Sequence, residues 1–343
     1  MIRSRSFGRL PGGCEVRAHT LSIQGIELEV LSYGGIVSRL LVPDRNGQMQ
    51  DVTLGFGSME SYLAGHPYFG CLTGRVAGRI TAGTFELASR RYSLALNNGP
   101  NHLHGGQSGF DKKVWEIDED SCGASPALRL RCASPDGDEG YPGNLQVQAV
   151  YRLLPPSVWE IEYEARTDRA TLVNLTQHAY FNLAGEGRGT IENHHLQIDA
   201  NFMVPTDGDL TLLGKSEAVQ GRPDDLRSSR RLGDILPDLL HQHGNLYGLG
   251  ASTELRRVAR LTEPSAGRCL EVWSDEPALQ FYSGSFLDGG LTGKSGRPYP
   301  RHAGLCLECQ RYPMPDGPTG FGSPLLYPGE IYRQKTQYRF SCF

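Results

Sequence analysis

The chain has 343 residues, 38% of them hydrophobic, with 34 basic against 38 acidic side chains and a formal charge of −4. No basic run exceeds Arg90-Arg91 or Arg230-Arg231, which speaks against nucleic acid or an anionic membrane and for a small molecule or a protein as partner. No stretch approaches about 18 uninterrupted apolar residues, so no membrane span is expected.

The basic residues of Met1 to Pro11 are not followed by an apolar run, so no secretory signal is read there. The eight cysteines are scattered, mostly in apolar runs such as those around Cys71, Cys132 and Cys269. Read as buried thiols, they fit a reducing compartment, and cytoplasm is the expected location. Ile26 to Leu31 alternates with period two and reads as a strand. Ser58 is placed to cap a short helix running to Leu63. In Gly74-Arg-Val-Ala-Gly-Arg-Ile80, two arginines four apart sit in an otherwise apolar segment. They are either salt-bridged scaffolding or a guanidinium fork for hydroxyl or carboxylate oxygens, and the sequence leaves both open. His102 and His104 would share a face of a strand, as metal sites exploit, or would bond neighbouring loop carbonyls; the two readings weigh equally.

Strands are expected over Leu128 to Cys132, Gln146 to Leu153 and Val158 to Ala165. In the last, Trp159, Ile161, Tyr163 and Ala165 point one way, and the row Glu160, Glu162, Glu164 reads as a solvated sheet face. Asn174 to Leu183 is an apolar, strand-like run that contains His178. His194, His195, His241 and His243 lie among polar residues and read as surface. The region from Gly208 to Ser252 reads as long loops, with a short helix from Asp234 to Leu240. Further strands are expected over Arg268 to Trp273, Leu279 to Ser283, Leu305 to Glu308 and Gln337 to Cys342. Many short strands separated by turns predict an all-β fold of antiparallel sheets, organised as one domain over residues 1–343.

Two residues pose a chemical question. Imidazole and carboxylate both lose hydration when buried, yet His178 and Glu308 are embedded in strand-like apolar surroundings. They also form a natural acid/base couple, with reference pKa values of roughly 6.5 and 4.3. Other signals fail. Asp288 to Ser295 has Asp at the first glycine position of a phosphate-binding loop, and Gly185 to Gly189 lacks the last glycine of a dinucleotide fingerprint. Cys306 and Cys309 form a lone CxxC, too little for a zinc site.

Taken together, these segments resemble the aldose 1-epimerase (galactose mutarotase) family. The resemblance runs through Tyr33-Gly34-Gly35, Gly74 to Ile80, Asn101 to Gly106, Gly109 to Lys112, Asp138 to Gly143, Asn174 to Leu183, Gln280 to Gly284, Gly304 to Gln310 and Tyr327 to Glu330. It implies a large antiparallel β-sandwich with a sugar cleft on one sheet. It further implies anomer interconversion of a free aldohexose such as galactose or glucose, without cofactor or metal, with Glu308 as general base and His178 as general acid. Arg79, His104 and Gln280 fall on family positions that contact sugar oxygens. Three departures stand out. Gly78 replaces a family Asn, and Arg311 to Asp316 extends a shorter family motif. An expected substrate-binding Asp has no counterpart in Gly244 to Leu249, where Asn245 is the nearest candidate. A hexose-6-phosphate 1-epimerase and a non-catalytic carbohydrate-binding module are the alternatives, and the chain is expected to act as a monomer or homodimer.

Overall fold

The period-two segments become strands, and among the described residues every paired strand runs antiparallel to its neighbour. The computed structural model describes residues 1–121, 125–239 and 245–343. Nine strands form the largest sheet among these residues. In spatial order they are Glu116–Asp120, Ala127–Ser134, Leu145–Leu154, Val158–Thr167, Tyr332–Cys342, Arg268–Ser274, Arg256–Glu263, His195–Ile198 and Arg230–Arg231. Trp159, Ile161, Tyr163 and Ala165 point inward, as their alternation predicts. Glu160, Glu162 and Glu164 take the other face, where Arg152, Lys335, Arg166 and Arg333 pair with them. That face is polar but not bare, and Glu160 is buried under its partners.

A second sheet of five strands carries the order Glu217–Ala218, Phe202–Val204, Asn245–Gly248, Ala278–Tyr282, Cys306–Gln310. Leu279, Phe281, Leu307 and Cys309 pack from its back into one core with Trp159, Ile161 and Tyr163 of the large sheet. Tyr338 ties the layers together, stacking on Trp159 at 4.8 Å between centroids and donating its hydroxyl to the Leu307 carbonyl at 3.2 Å. A third sheet joins the first five strands, Ile2–Arg9 to Met49–Asp51, in chain order. An all-β architecture follows, with short helices only.

Ser58 caps the helix Met59–Leu63, accepting from the Ser61 amide. The expected helix from Asp234 to Leu240 is displaced: it covers Leu232–Ile235 and tightens into a 3₁₀ turn over Leu236–Asp238, where Pro237 withholds an amide donor. Leu240 itself lies outside the described residues. The region Gly208 to Ser252, expected as long loops, contains the short strands Glu217–Ala218, Arg230–Arg231 and Asn245–Gly248. His194 corrects the surface reading. It is fully buried, its Nε2 accepts the Leu183 amide at 2.9 Å, and burial lowers its pKa to about 4. His241 and His243 lie outside the described residues. The seven described cysteines are all free; Cys71, Cys269, Cys306 and Cys309 are buried, whereas Cys132 is half-exposed.

Candidate active site

Strand alternation builds the floor of a cleft. With odd positions of Ala278–Tyr282 and Cys306–Gln310 committed to the core, the even ones face outward, and register pairs Gln280 with Glu308 and Tyr282 with Cys306. Gln280, Tyr282, Glu308 and Gln310 line a cavity of about 430 Å³, within the range of small-molecule sites. His178 enters from a neighbouring segment. Its amide donates to the Cys71 carbonyl at 2.8 Å and its carbonyl accepts from the Gly70 amide at 3.0 Å, beside the short pairing of Thr176–Gln177 with Leu72–Thr73. Tyr180 and Tyr68 stack on the imidazole, with centroids 5.2 and 5.8 Å away, and fix its plane.

The two expected catalytic groups meet. His178 Nε2 is 3.8 Å from Glu308 Oε2, and that oxygen is buried with no hydrogen-bond partner. Burial pushes the Glu308 carboxyl up to about 8, with Arg79 pulling the other way. Burial also pushes His178 down to about 3. Gln310 presents a second buried and unpartnered oxygen, Oε1, to the same cavity. Buried acceptors left without partners are costly, and here they converge where a polyhydroxylated ligand would supply donors.

The arginine pair separates. Arg75 is buried scaffolding: its guanidinium donates to Ser134 Oγ and to the carbonyls of Ser134, Pro135, Pro142 and Gly143 at 2.8 to 3.0 Å. Arg79 lines the cavity, with Nε held by Asn98 Oδ1 at 2.8 Å. The histidine pair separates too. His102 lies in the two-residue strand His102–Leu103, with Nδ1 donating to the Ala95 carbonyl and Nε2 accepting from Tyr141 Oη, both at 2.7 Å. His104 turns away with φ of 50° and reaches the cavity instead. Gly78, at φ of 85°, donates its amide to His104 Nδ1 at 3.2 Å. Glycine takes this backbone region freely, and Asn is among the few side chains that tolerate it.

His104, His178 and Glu308 each offer one ligand atom within 4.8 Å of the others, a spacing a metal ion could use. The wiring of His104 argues against that. An amide at Nδ1 makes that atom an acceptor, so the neutral ring carries its proton on Nε2, where a metal would need a lone pair. Burial, reinforced by His178 and Arg79, keeps His104 well below its usual pKa and therefore uncharged. A neutral Nε2–H is instead a donor for a ligand hydroxyl.

Asn245 is the one expected site residue that the fold does not bring to the cleft. Register sets it opposite Phe281, on the core side of the sheet, and its Nδ2 donates to buried Asp224 Oδ2 at 3.0 Å. Leu246, opposite Gln280, takes the outward face. Sequence reasoning missed the tyrosines Tyr68, Tyr180 and Tyr282, the leucines Leu210 and Leu212, and Phe286 at the cavity wall. It also missed Asn174. That side chain bonds the carbonyls of Ala77 and Arg311 and the Arg311 amide, clamping the arginine segment to the end of the Glu308 strand. Its place at the head of the His178 run was the available signal.

The family model for aldose 1-epimerase matches residues 17–339. The chain is 43% identical over 338 residues to galactose mutarotase of Bos taurus, covering 98% of this chain and 97% of that protein. It is 32% identical to aldose 1-epimerase of Escherichia coli (strain K12), with 96% of each covered. Among solved structures, galactose 1-epimerase from Lactobacillus acidophilus superposes with a TM-score of 0.86 at 26% identity, over 100% of this chain and 99% of that one. Among the described residues, no helix is long and apolar enough to cross a membrane. The match over most of the chain and the identity to these relatives carry one conclusion: the chain belongs to the aldose 1-epimerase family and is, by that membership, an isomerase.

Proposed function

We propose that this chain interconverts the α and β anomers of a free aldohexose, galactose or glucose, with Glu308 as general base and His178 as general acid. Glu308 takes the proton of the anomeric hydroxyl while His178 Nε2 protonates the ring oxygen. The C1–O5 bond opens to the aldehyde, the C1–C2 bond rotates, and closure on the other carbonyl face reverses both proton transfers. What carries the reading is the buried, unpartnered Glu308 Oε2 lying 3.8 Å from His178 Nε2 in the cleft.

The proton inventory supports it. With Glu308 raised to about 8 and His178 lowered to about 3, the couple holds one proton near neutrality. One is what the cycle uses. Burial leaves that proton on Glu308 in the empty site; carried to His178 Nε2, it gives the imidazolium and carboxylate that open the ring and return as neutral imidazole with carboxylic acid, which then closes it. Positioned groups of this kind contribute about 10²–10⁴-fold. Arg79, the Nε2–H of His104 and Gln280 are the groups that would hold sugar hydroxyls.

A phosphorylated hexose is disfavoured, because Arg79 is the only permanent cation among the described residues lining the cavity and Arg75 is committed to carbonyls. Polarimetry on freshly dissolved α-D-galactose and α-D-glucose, beside glucose 6-phosphate, tests the proposal. Faster decay of optical rotation with the free sugars is expected. Acceleration confined to the phosphate ester, or none at all, would overturn it.

A further inference from the structure

Cys306 stands two residues before Glu308 on the cleft-facing side of the same strand, so sulfur and carboxyl approach the His178 ring at its two different nitrogens. Sγ is 3.4 Å from Nδ1, and Glu308 Oε2 is 3.8 Å from Nε2. Among the described residues, the sulfur is the one side-chain hydrogen-bond partner of Nδ1. We propose that Cys306 is a positioning residue whose sulfur accepts the Nδ1–H of His178 throughout the cycle, leaving Nε2 as the only ring atom that exchanges a proton with the sugar. The inference rests on His178 being the acid.

The need for such a partner follows from the proton path. After ring opening His178 is neutral and has two tautomers. Only the one protonated on Nδ1 has a bare Nε2 that can take back the proton of the ring hydroxyl; the other stalls the return. Stacking by Tyr68 and Tyr180 prevents the ring from turning over to correct this. In hydrolase triads a carboxylate on Nδ1 fixes the tautomer and stabilises the imidazolium as well. A sulfur atom does only the first. Burial holds Cys306 as the uncharged thiol, so it selects the tautomer while leaving the imidazolium a strong acid. The titratable groups facing the ring are otherwise Glu308, His104, His66, Tyr68, Tyr180 and Tyr282, and none is bonded to Nδ1.

The test combines ring-nitrogen NMR of His178 in the wild-type protein with kinetics of Cys306→Ala, Cys306→Ser and Cys306→Asp, and with His178→Asn in parallel. The wild-type spectrum should show the proton on Nδ1. Cys306→Ala should lose about tenfold in kcat, as for one lost hydrogen bond, with KM for galactose within roughly twofold. Cys306→Ser, which keeps an acceptor, should recover most of that loss. Cys306→Asp should move the acid limb of the kcat/KM profile upward by about one pH unit or more, since a carboxylate at Nδ1 stabilises the imidazolium. A wild-type ring protonated on Nε2 with Nδ1 bare overturns the proposal, and this readout needs no variant to fold. So does a folded Cys306→Ala protein with unchanged kcat. If that occurs while His178→Asn is slow, the role of Cys306 alone falls; if His178→Asn turns over normally, the assignment of the acid falls with it.

Discussion

Replacing Glu308 by Gln should slow the enzyme and stabilise the protein at the same time. The carboxyl is fully buried and its folded pKa of about 8 lies above the ordinary 4.5. Between those values the folded state holds a proton that the unfolded state has released, so stability falls as pH rises through the window. At pH 7 the gap is two and a half pH units at about 1.4 kcal/mol each, on the order of 3 kcal/mol of destabilisation. Gln has nearly the same shape and no proton to bind, so the variant escapes this cost. A melting temperature a few degrees above wild type is expected at pH 7, shrinking to nothing near pH 4. Turnover, followed by polarimetry, should drop by at least ~10²-fold, as loss of a general base requires. A folded Glu308→Gln protein with wild-type turnover would refute the assignment of the base. A variant that melts earlier than wild type at pH 7 would refute the burial argument.

His178→Asn should depress kcat strongly while sugar binding survives, and the double variant with Glu308→Gln should be little slower than the slower single one, because both groups serve one rearrangement; fully additive losses would count against a couple. Activity should fall as pH rises through about 8, where the His178–Glu308 couple loses its single proton, and hold steady through neutrality to well below pH 6. A kcat/KM that climbs through pH 8 would show that the couple works without that proton. Asn245→Asp should not tighten sugar binding: it sets a second carboxyl against buried Asp224 and removes the donor now bonded at 3.0 Å, so thermal unfolding should come several degrees earlier with KM little changed in the folded fraction. A lower KM for galactose would place that side chain in the cleft after all.

What the sequence made legible was whatever depends on period and burial alone. Trp159, Ile161 and Tyr163 alternate with glutamates, and alternation is enough to give a strand and its inner face. His178 and Glu308 stood out because a polar group in an apolar strand needs a reason, and that reason is local. Arg75 and Arg79 could not be told apart, because the difference lies in carbonyls 59 to 68 residues away that capture the first and leave the second. His104 escaped the strand reading through one left-handed backbone angle. Asn245 was misplaced because a strand of four residues declares no register in sequence, and register decides which face a side chain takes. His194 looked exposed among polar neighbours, although its partner is an amide eleven residues upstream.

The alternation along Cys306–Gln310 also governs which changes in chain length this protein can accept. Glu308 and Gln310 line the cavity and Cys306, on the same side of the strand, backs the His178 ring, while Leu307 and Cys309 fill the core. Adding or deleting one residue inside the strand would exchange the two sets, sending Glu308 into the hydrophobic interior and Leu307 into the cleft. No partial loss of function lies between those states, since half a period does not exist. Variation in length has to wait until the strand ends at Gln310, where the segment Arg311 to Asp316 begins. The catalytic strand therefore behaves as a fixed reading frame, and the freedom to reshape the mouth of the cleft lies in the loop beyond it.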